Sequence, residues 1–405
     1  MNTKISALVG IGIMSVSPSL AENARFDAMG GISIIDDFSH VLYFPGSVND
    51  FPDQIKGTMG TYSDTAGKSV EYFGPILGKK SIGKILNVGF IANTQDQQTG
   101  SGVLRSNFYN RARSFLRTYS ADTLPSSFPA IPHVLLGLDF DKINLGFEGF
   151  YEEAHFKRLV ASTNSSSEQE LSNVGVKASA TIALGKFWLC PLFGIGAPSL
   201  KATTGDTAAG EIASTKSKYM TAGLETGIEW TASTFVMGAF FTNEAYRFGA
   251  QQSQSPDYNI MFCDMYAGYT TWLLDSLFLA VEYDLSLQYD DVVNTGYEFH
   301  DSYIYHGFHL GVERPFKVKG LFDAVIPRAG IAYTIGSISE KPGDTVIVYP
   351  ADASTMQLNS GIGFKKDVFQ LDLFVNIGNW NGVLTGPRTM AVTLTIGLSR
   401  EFLEK

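Results

Sequence analysis

The sequence predicts an all-β protein, a transmembrane antiparallel up-and-down β-barrel. Three observations carry that reading: two-residue alternation over long segments, a regular exchange of short and long connections, and a leader-like N-terminus with no later apolar run of helical membrane length. The composition suits it. Among 405 residues, 17% are charged, 13% aromatic and 41 are glycine, which fits a β-rich chain with much apolar and little charged helical surface. A formal net charge of −10 repels polyphosphates, so nucleic acid is excluded as a partner.

At the N-terminus, Lys4 gives a positive start and Ile5 to Val16 an apolar stretch. Ser19-Leu20-Ala21 then ends in a small residue suited to cleavage before Glu22. Residues 1–21 therefore read as a signal peptide, and no cysteine follows to take a lipid anchor. The apolar stretch falls short of the roughly 20 residues that a membrane helix needs. Cys190 and Cys263 show no CxxC spacing and read as small wall residues, with a disulfide left open by an oxidising compartment.

Alternation is clearest from Ser276 to Tyr289. Leu277, Leu279, Val281, Tyr283, Leu285 and Leu287 share one face, and Glu282, Asp284, Ser286 and Gln288 the other. Met390, Val392, Leu394 and Ile396 oppose Thr393, Thr395 and Gly397 in the same way, and similar patterns run through 171–184, 218–230, 302–312 and 369–377. Charges on a lipid face cost a few kcal/mol, which predicts that Glu225, Glu229, Glu282 and Asp284 face the lumen, with Glu148, Glu152 and Asp372.

Short links at 141–142, 185–186, 231–233, 275–276, 317–320 and 365–367 alternate with long polar loops at 160–170, 201–216, 250–258, 290–301, 337–352 and 379–387. Successive connections of an up-and-down barrel fall on opposite sides of the membrane, and short periplasmic turns with long external loops give this rhythm. Counting back from the C-terminus gives about 14 strands; the segments 56–63 and 69–77 would raise the count to about 16 if they join the wall. Trp188, Trp230, Trp272 and Trp380 lie near predicted strand ends and resemble interfacial girdles. Pro191 and Pro198 each remove a ladder donor, so a bulge or opening is expected there. Gly397 with Phe402 resembles the terminal signal read by the barrel-insertion machinery, although Arg400 stands where an apolar residue is usual.

Between cleavage site and wall, residues 22–54 carry Ala28-Met29-Gly30-Gly31, the pair Asp36-Asp37, and Tyr43-Phe44-Pro45-Gly46. This run resembles the N-terminus of the FadL-like outer-membrane transporters and their PorV-like relatives, with Phe44-Pro45-Gly46 in place of the family's Asn-Pro-Ala step. The resemblance implies a plug or hatch at 22–54, a barrel of about 14 strands at 55–405, and a Gram-negative outer-membrane location with both termini periplasmic. In 96–132, Leu104, Phe108, Ala112, Phe115 and Tyr119 recur at helical spacing beside Arg105, Arg111, Arg113 and Arg117. A basic amphipathic helix is expected there on the outside, as a lid whose Arg105, Phe108, Arg111, Arg113, Phe115 and Arg117 would guide an apolar ligand with an acidic head.

No catalytic residue, metal site or cofactor is expected. HExxH, GxSxG and Walker-like runs are missing, and His306 and His309 fall on opposite strand faces. The expected function is transport of hydrophobic small molecules or an accessory role in protein secretion, with a general porin or a structural outer-membrane protein as alternatives. The expected partners are outer-membrane lipid, the insertion machinery, and a hydrophobic ligand or secreted protein.

Overall fold

A computed structural model describes residues 24–32, 34–35, 38–63, 69–92, 133–160, 165–204, 212–213, 217–246, 257–273, 276–294, 297–318, 320–342, 347–350, 355–379 and 389–398. Sixteen antiparallel strands form one closed wall. They are β1 (Gln54–Ser63), β2 (Ser69–Ile82), β3 (Leu86–Ala92), β4 (His133–Asp139), β5 (Ile143–Val160), β6 (Ser165–Leu184), β7 (Phe187–Thr204) and β8 (Lys218–Glu229), followed by β9 (Ser233–Tyr246), β10 (Asp257–Leu273), β11 (Leu277–Asn294), β12 (Tyr297–Glu313), β13 (Ala324–Pro342), β14 (Thr355–Lys366), β15 (Phe369–Asn379) and β16 (Thr389–Gly397). Pairing of Gln54 with Gly397 through Tyr62 with Thr389 joins β1 to β16 and leaves the sheet no edge. The count is the larger of the two that the sequence allows, because 54–63 and 69–82 belong to the wall.

The faces follow the alternation. On β11, Ala280, Glu282, Asp284 and Ser286 are buried, while Val281 and Tyr283 are exposed; on β12, His309 is buried, while Phe308 and Leu310 are exposed. The outside is a band of Val, Leu, Ile, Phe and Tyr, and the inside carries carboxylates, threonines and asparagines. That inversion suits a wall wetted by lipid tails.

Several strands run well past the bilayer. β6 has 20 residues, about 66 Å of chain at ~3.3 Å per residue, whereas the apolar band of such barrels is about 25 Å tall. The segments read as long loops at 160–170, 290–301 and 337–352 are therefore largely paired strand. β5 and β6 pair as far as Val160 with Ser165, β11 and β12 as far as Asn294 with Tyr297, and β13 extends to Pro342. At the opposite end, tight turns use left-handed backbone at Gly83, Asp141, Gly185 and Asp367, the residue types that tolerate it best. There the Asp323 carboxylate accepts from the Asp367 amide and the Lys366 ammonium, each at 2.9 Å, and these bonds hold its carboxyl below the usual range.

Pro191 has the expected local effect without a bulge. Pairing of β6 with β7 lapses opposite Cys190 and Pro191 and resumes in the same register, while Pro198 stays paired with Asn173. The described bulges lie elsewhere, at Gly57/Met59 and Leu358/Asn359. Cys190 and Cys263 are free thiols.

Leu224, outward-facing and five residues from the short-turn end of β8, tests the lipid-facing assignment. Leu224→Arg is expected to lower unfolding free energy in lipid vesicles by about 2–4 kcal/mol, measured by urea titration; an unchanged value would remove Leu224 from the bilayer.

Candidate functional site

The described residues between Ala24 and Asp53 lie against inward-facing residues of the wall. They form a short helix α1 (Ala24–Ala28) and two 3-10 turns, Phe38–Leu42 and Pro45–Asn49. α1 rests on β13 to β16. Its Ala24 amide donates to Thr393 Oγ1 at 2.8 Å, and that hydroxyl also meets Thr58 across the closing seam.

Next to it runs a chain of alternating charge. Arg25 Nε donates to Glu313 at 3.0 Å; Arg328 donates to Glu313 and to Asp372, each at 2.5 Å; and Gln370 donates to Asp372 at 2.9 Å. The Arg328 side chain is only 1% exposed, so both its carboxylates compensate a desolvated guanidinium.

Gly30 and Gly31 carry φ of +88° and +76°, a conformation side chains resist, and let the backbone reverse beside β12 and β13. The Gly30 carbonyl accepts from His309 Nδ1 at 2.7 Å, while His309 Nε2 meets Asp284 at 2.8 Å. A carbonyl only accepts, so Nδ1 carries the hydrogen in the bond to Gly30. Further along, the Ile34 amide donates to Glu282 at 3.0 Å, and His40 meets Glu225 at 3.2 Å, where Tyr266 also donates. The Gly46 amide donates to Ser179 at 2.7 Å, and Asn49 donates to the Leu145 carbonyl while accepting from Asn87. Asp53 closes the run: burial alone would raise its carboxyl, but bonds from the Lys80 ammonium at 2.6 Å and from Ser81 hold it below the usual range.

The wall is cut to receive this segment. A Cβ at Gly146 would land on the Gly46 nitrogen, and one at Gly330 on the Gly30 nitrogen. Gly137, Gly268, Gly311 and Gly361 likewise give way to Asn49, Ile34, Met29 and Ala28. At Gly146, Gly311 and Gly330 backbone lies directly on backbone, and at Gly137, Gly268 and Gly361 a side chain of the segment takes the room a Cβ would fill.

Of the residues singled out in the sequence, Ala28, Met29, Gly30, Gly31, Pro45 and Gly46 are buried in this seat, as are Glu225, Glu282 and Asp284 in the wall around it. Glu229 stands exposed at the end of β8. Asp36, Asp37, Trp380 and the whole of 96–132, with Arg105, Phe108, Arg111, Arg113, Phe115 and Arg117, lie outside the described residues. His306 and His309 do point apart: His306 meets Tyr283 on the outer face. Among the described residues no group of His, Cys, Asp and Glu suits a metal ion.

Sequence reasoning missed the interior role of tryptophan. Trp188 packs with Phe44, Cys190 and Leu192 beneath the segment, and Trp272 shares the inward parity of Tyr266 and Thr270 and meets Phe278 at a tilt, ring centroids 5.2 Å apart. They belong to the lumen and not to a lipid-facing girdle. With Trp230 they line a cavity of about 700 Å³ at the short-turn end, between the segment and β5 to β11. Also missed was the triad of Glu148, His133 and Lys177, buried on β4 to β6.

A closed barrel, apolar outside and charged inside, defines the chain as a membrane β-barrel. No protein-family model matches it, and no curated protein does. Similar solved structures include CdiB from Acinetobacter baumannii, with TM-score 0.48 and 7% identity over 85% of this chain. This chain spans 60% of the length of that one. A Pseudomonas aeruginosa FadL homologue gives TM-score 0.46 and 10% identity, covering 93% of this chain and 98% of that one. The Pseudomonas putida toluene transporter TodX gives 0.42 and 9%, covering 94% and 97%.

The two arginines of the charge chain should differ in weight. Arg328→Met leaves the buried Asp372 with Gln370 but no cation among the described residues, and Glu313 with Arg25 alone, and is expected to cost about 3–5 kcal/mol; Arg25→Met leaves Glu313 bonded to Arg328 and should cost roughly 1 kcal/mol. Urea midpoints of the two variants in detergent check this, and equal losses would contradict the arrangement.

Proposed function

We propose that this protein is an outer-membrane transporter of small hydrophobic molecules whose lumen is plugged by its own N-terminal segment. The observation that carries the proposal is the seating of the described residues between Ala24 and Asn49 on wall glycines and on polar groups contributed by strands all round the barrel. A general porin needs an open aqueous lumen, and a segment held in this way argues against one. The substrate class follows from the resemblance of Ala28 to Gly46 to FadL-like N-termini, and the outer membrane from the barrel architecture, since closed β-walls of this kind belong to that membrane. The apolar body of a substrate would have to leave the polar lumen lining untouched or displace the segment, so movement of the segment is part of the reading.

Single-channel recording tests the plug. The wild-type protein is expected to show no large steady conductance, and the double variant Gly146→Val with Gly330→Val, which forces backbone off backbone at both ends of the seat, is expected to open one. A large conductance in the wild type would sink the proposal. Uptake of a radiolabelled hydrophobic substrate into cells, lost on deletion of the gene, tests the cargo; co-purification of a secreted protein without such uptake would replace transport by a secretion accessory role.

A further inference from the structure

The cavity at the short-turn end has a chemistry that neither a plug nor a hydrophobic passage requires. Three of the chain's four tryptophans line it. A Cβ at Gly227 would fall 2.7 Å from three atoms of the Trp188 indole, so the ring lies over that glycine. Glu225 and Glu229 flank Gly227 on the same face of β8, each about 7 Å along the strand. The indole is thus bracketed by carboxylates.

Those carboxylates differ in what they have left to offer. Glu225 is engaged by His40 and Tyr266. Glu229 at the rim and Asp141 in the adjoining turn have no ion-pair partner among the described residues, and Lys186 is the single lysine in the lining. The cavity therefore offers indole faces and spare negative charge together, in a volume of about 700 Å³ that lies in the usual range for small-molecule sites. An uncharged apolar ligand would use the rings and leave the carboxylates idle. A bare metal ion or ammonium would use the carboxylates and remain too strongly hydrated to gain from the rings. An alkylated ammonium satisfies both, because its charge is spread over a weakly hydrated apolar shell that an indole face attracts.

We propose that this mouth is a binding site for organic ammonium ions, held against the Trp188 indole with Glu229, two residues beyond Gly227 on the same face of β8, supplying the counter-charge. The site is independent of whether the lumen conducts, since it lies on the short-turn side of the N-terminal segment and opens there.

The test is titration of the full-length protein, folded in detergent, with choline and with 3,3-dimethylbutan-1-ol, its uncharged counterpart of the same shape. Tryptophan fluorescence reads the cavity directly, and calorimetry gives the affinity. Choline is expected to saturate the signal and the alcohol to bind about tenfold more weakly or worse. Glu229→Gln and Trp188→Leu should each weaken choline by about tenfold. Because Glu229 is exposed at a strand end, its variant keeps the barrel folded, as heat-modifiable migration on a gel verifies. Equal affinity for the two ligands overturns the proposal, as does absence of saturable choline binding, or an affinity unchanged in Glu229→Gln.

Discussion

In hydrocarbon a backbone amide or carbonyl has no water to turn to, so every strand of a spanning sheet needs a neighbour on both sides. The contact between β1 and β16 meets that demand for the last two edges, and the rest of the molecule is arranged around it. Closure fixes which face of each strand meets lipid. That in turn sends Glu148, Glu225, Glu282, Asp284, Glu313 and Asp372 into one enclosed space.

Such a space cannot be left with unmatched charge, and the N-terminal segment shares in matching it. Arg25 completes the row that ends at Asp372, the Gly30 carbonyl and Asp284 divide the two nitrogens of His309, and the Ile34 amide meets Glu282. The polar wall and the segment are thus halves of one hydrogen-bonded system. This explains why the inward glycines recur where the segment passes: a side chain there would hold the two halves apart.

Much of this was legible in the sequence, for a physical reason. Where one side of a strand meets lipid and the other meets a polar lumen, period two is unavoidable, and β11 and β16 display it openly. Where those conditions lapse, so does the signal. Past the bilayer both faces of a strand are wet, so the ends of β5, β11 and β13 read as polar loops although they are paired. β1 was hard to count because Gly57 interrupts its outward row between Ile55 and Met59, next to a bulge. In β7, apolar residues face both ways, since Phe44 of the segment covers Cys190 and Leu192 from within, and the inward direction of Trp188 was hidden for that reason. The N-terminal run announced itself through Gly30 and Gly31, but its seat did not, because a glycine in a strand does not say what lies over it.

The seat also fixes an order of events. Gly137 and Gly146 stand on the early strands, Gly330 and Gly361 near the end of the chain, and the Ala24 amide is held by Thr393 on the final strand beside Thr58 on the first. The segment therefore has no complete berth until the last strand has closed on the first.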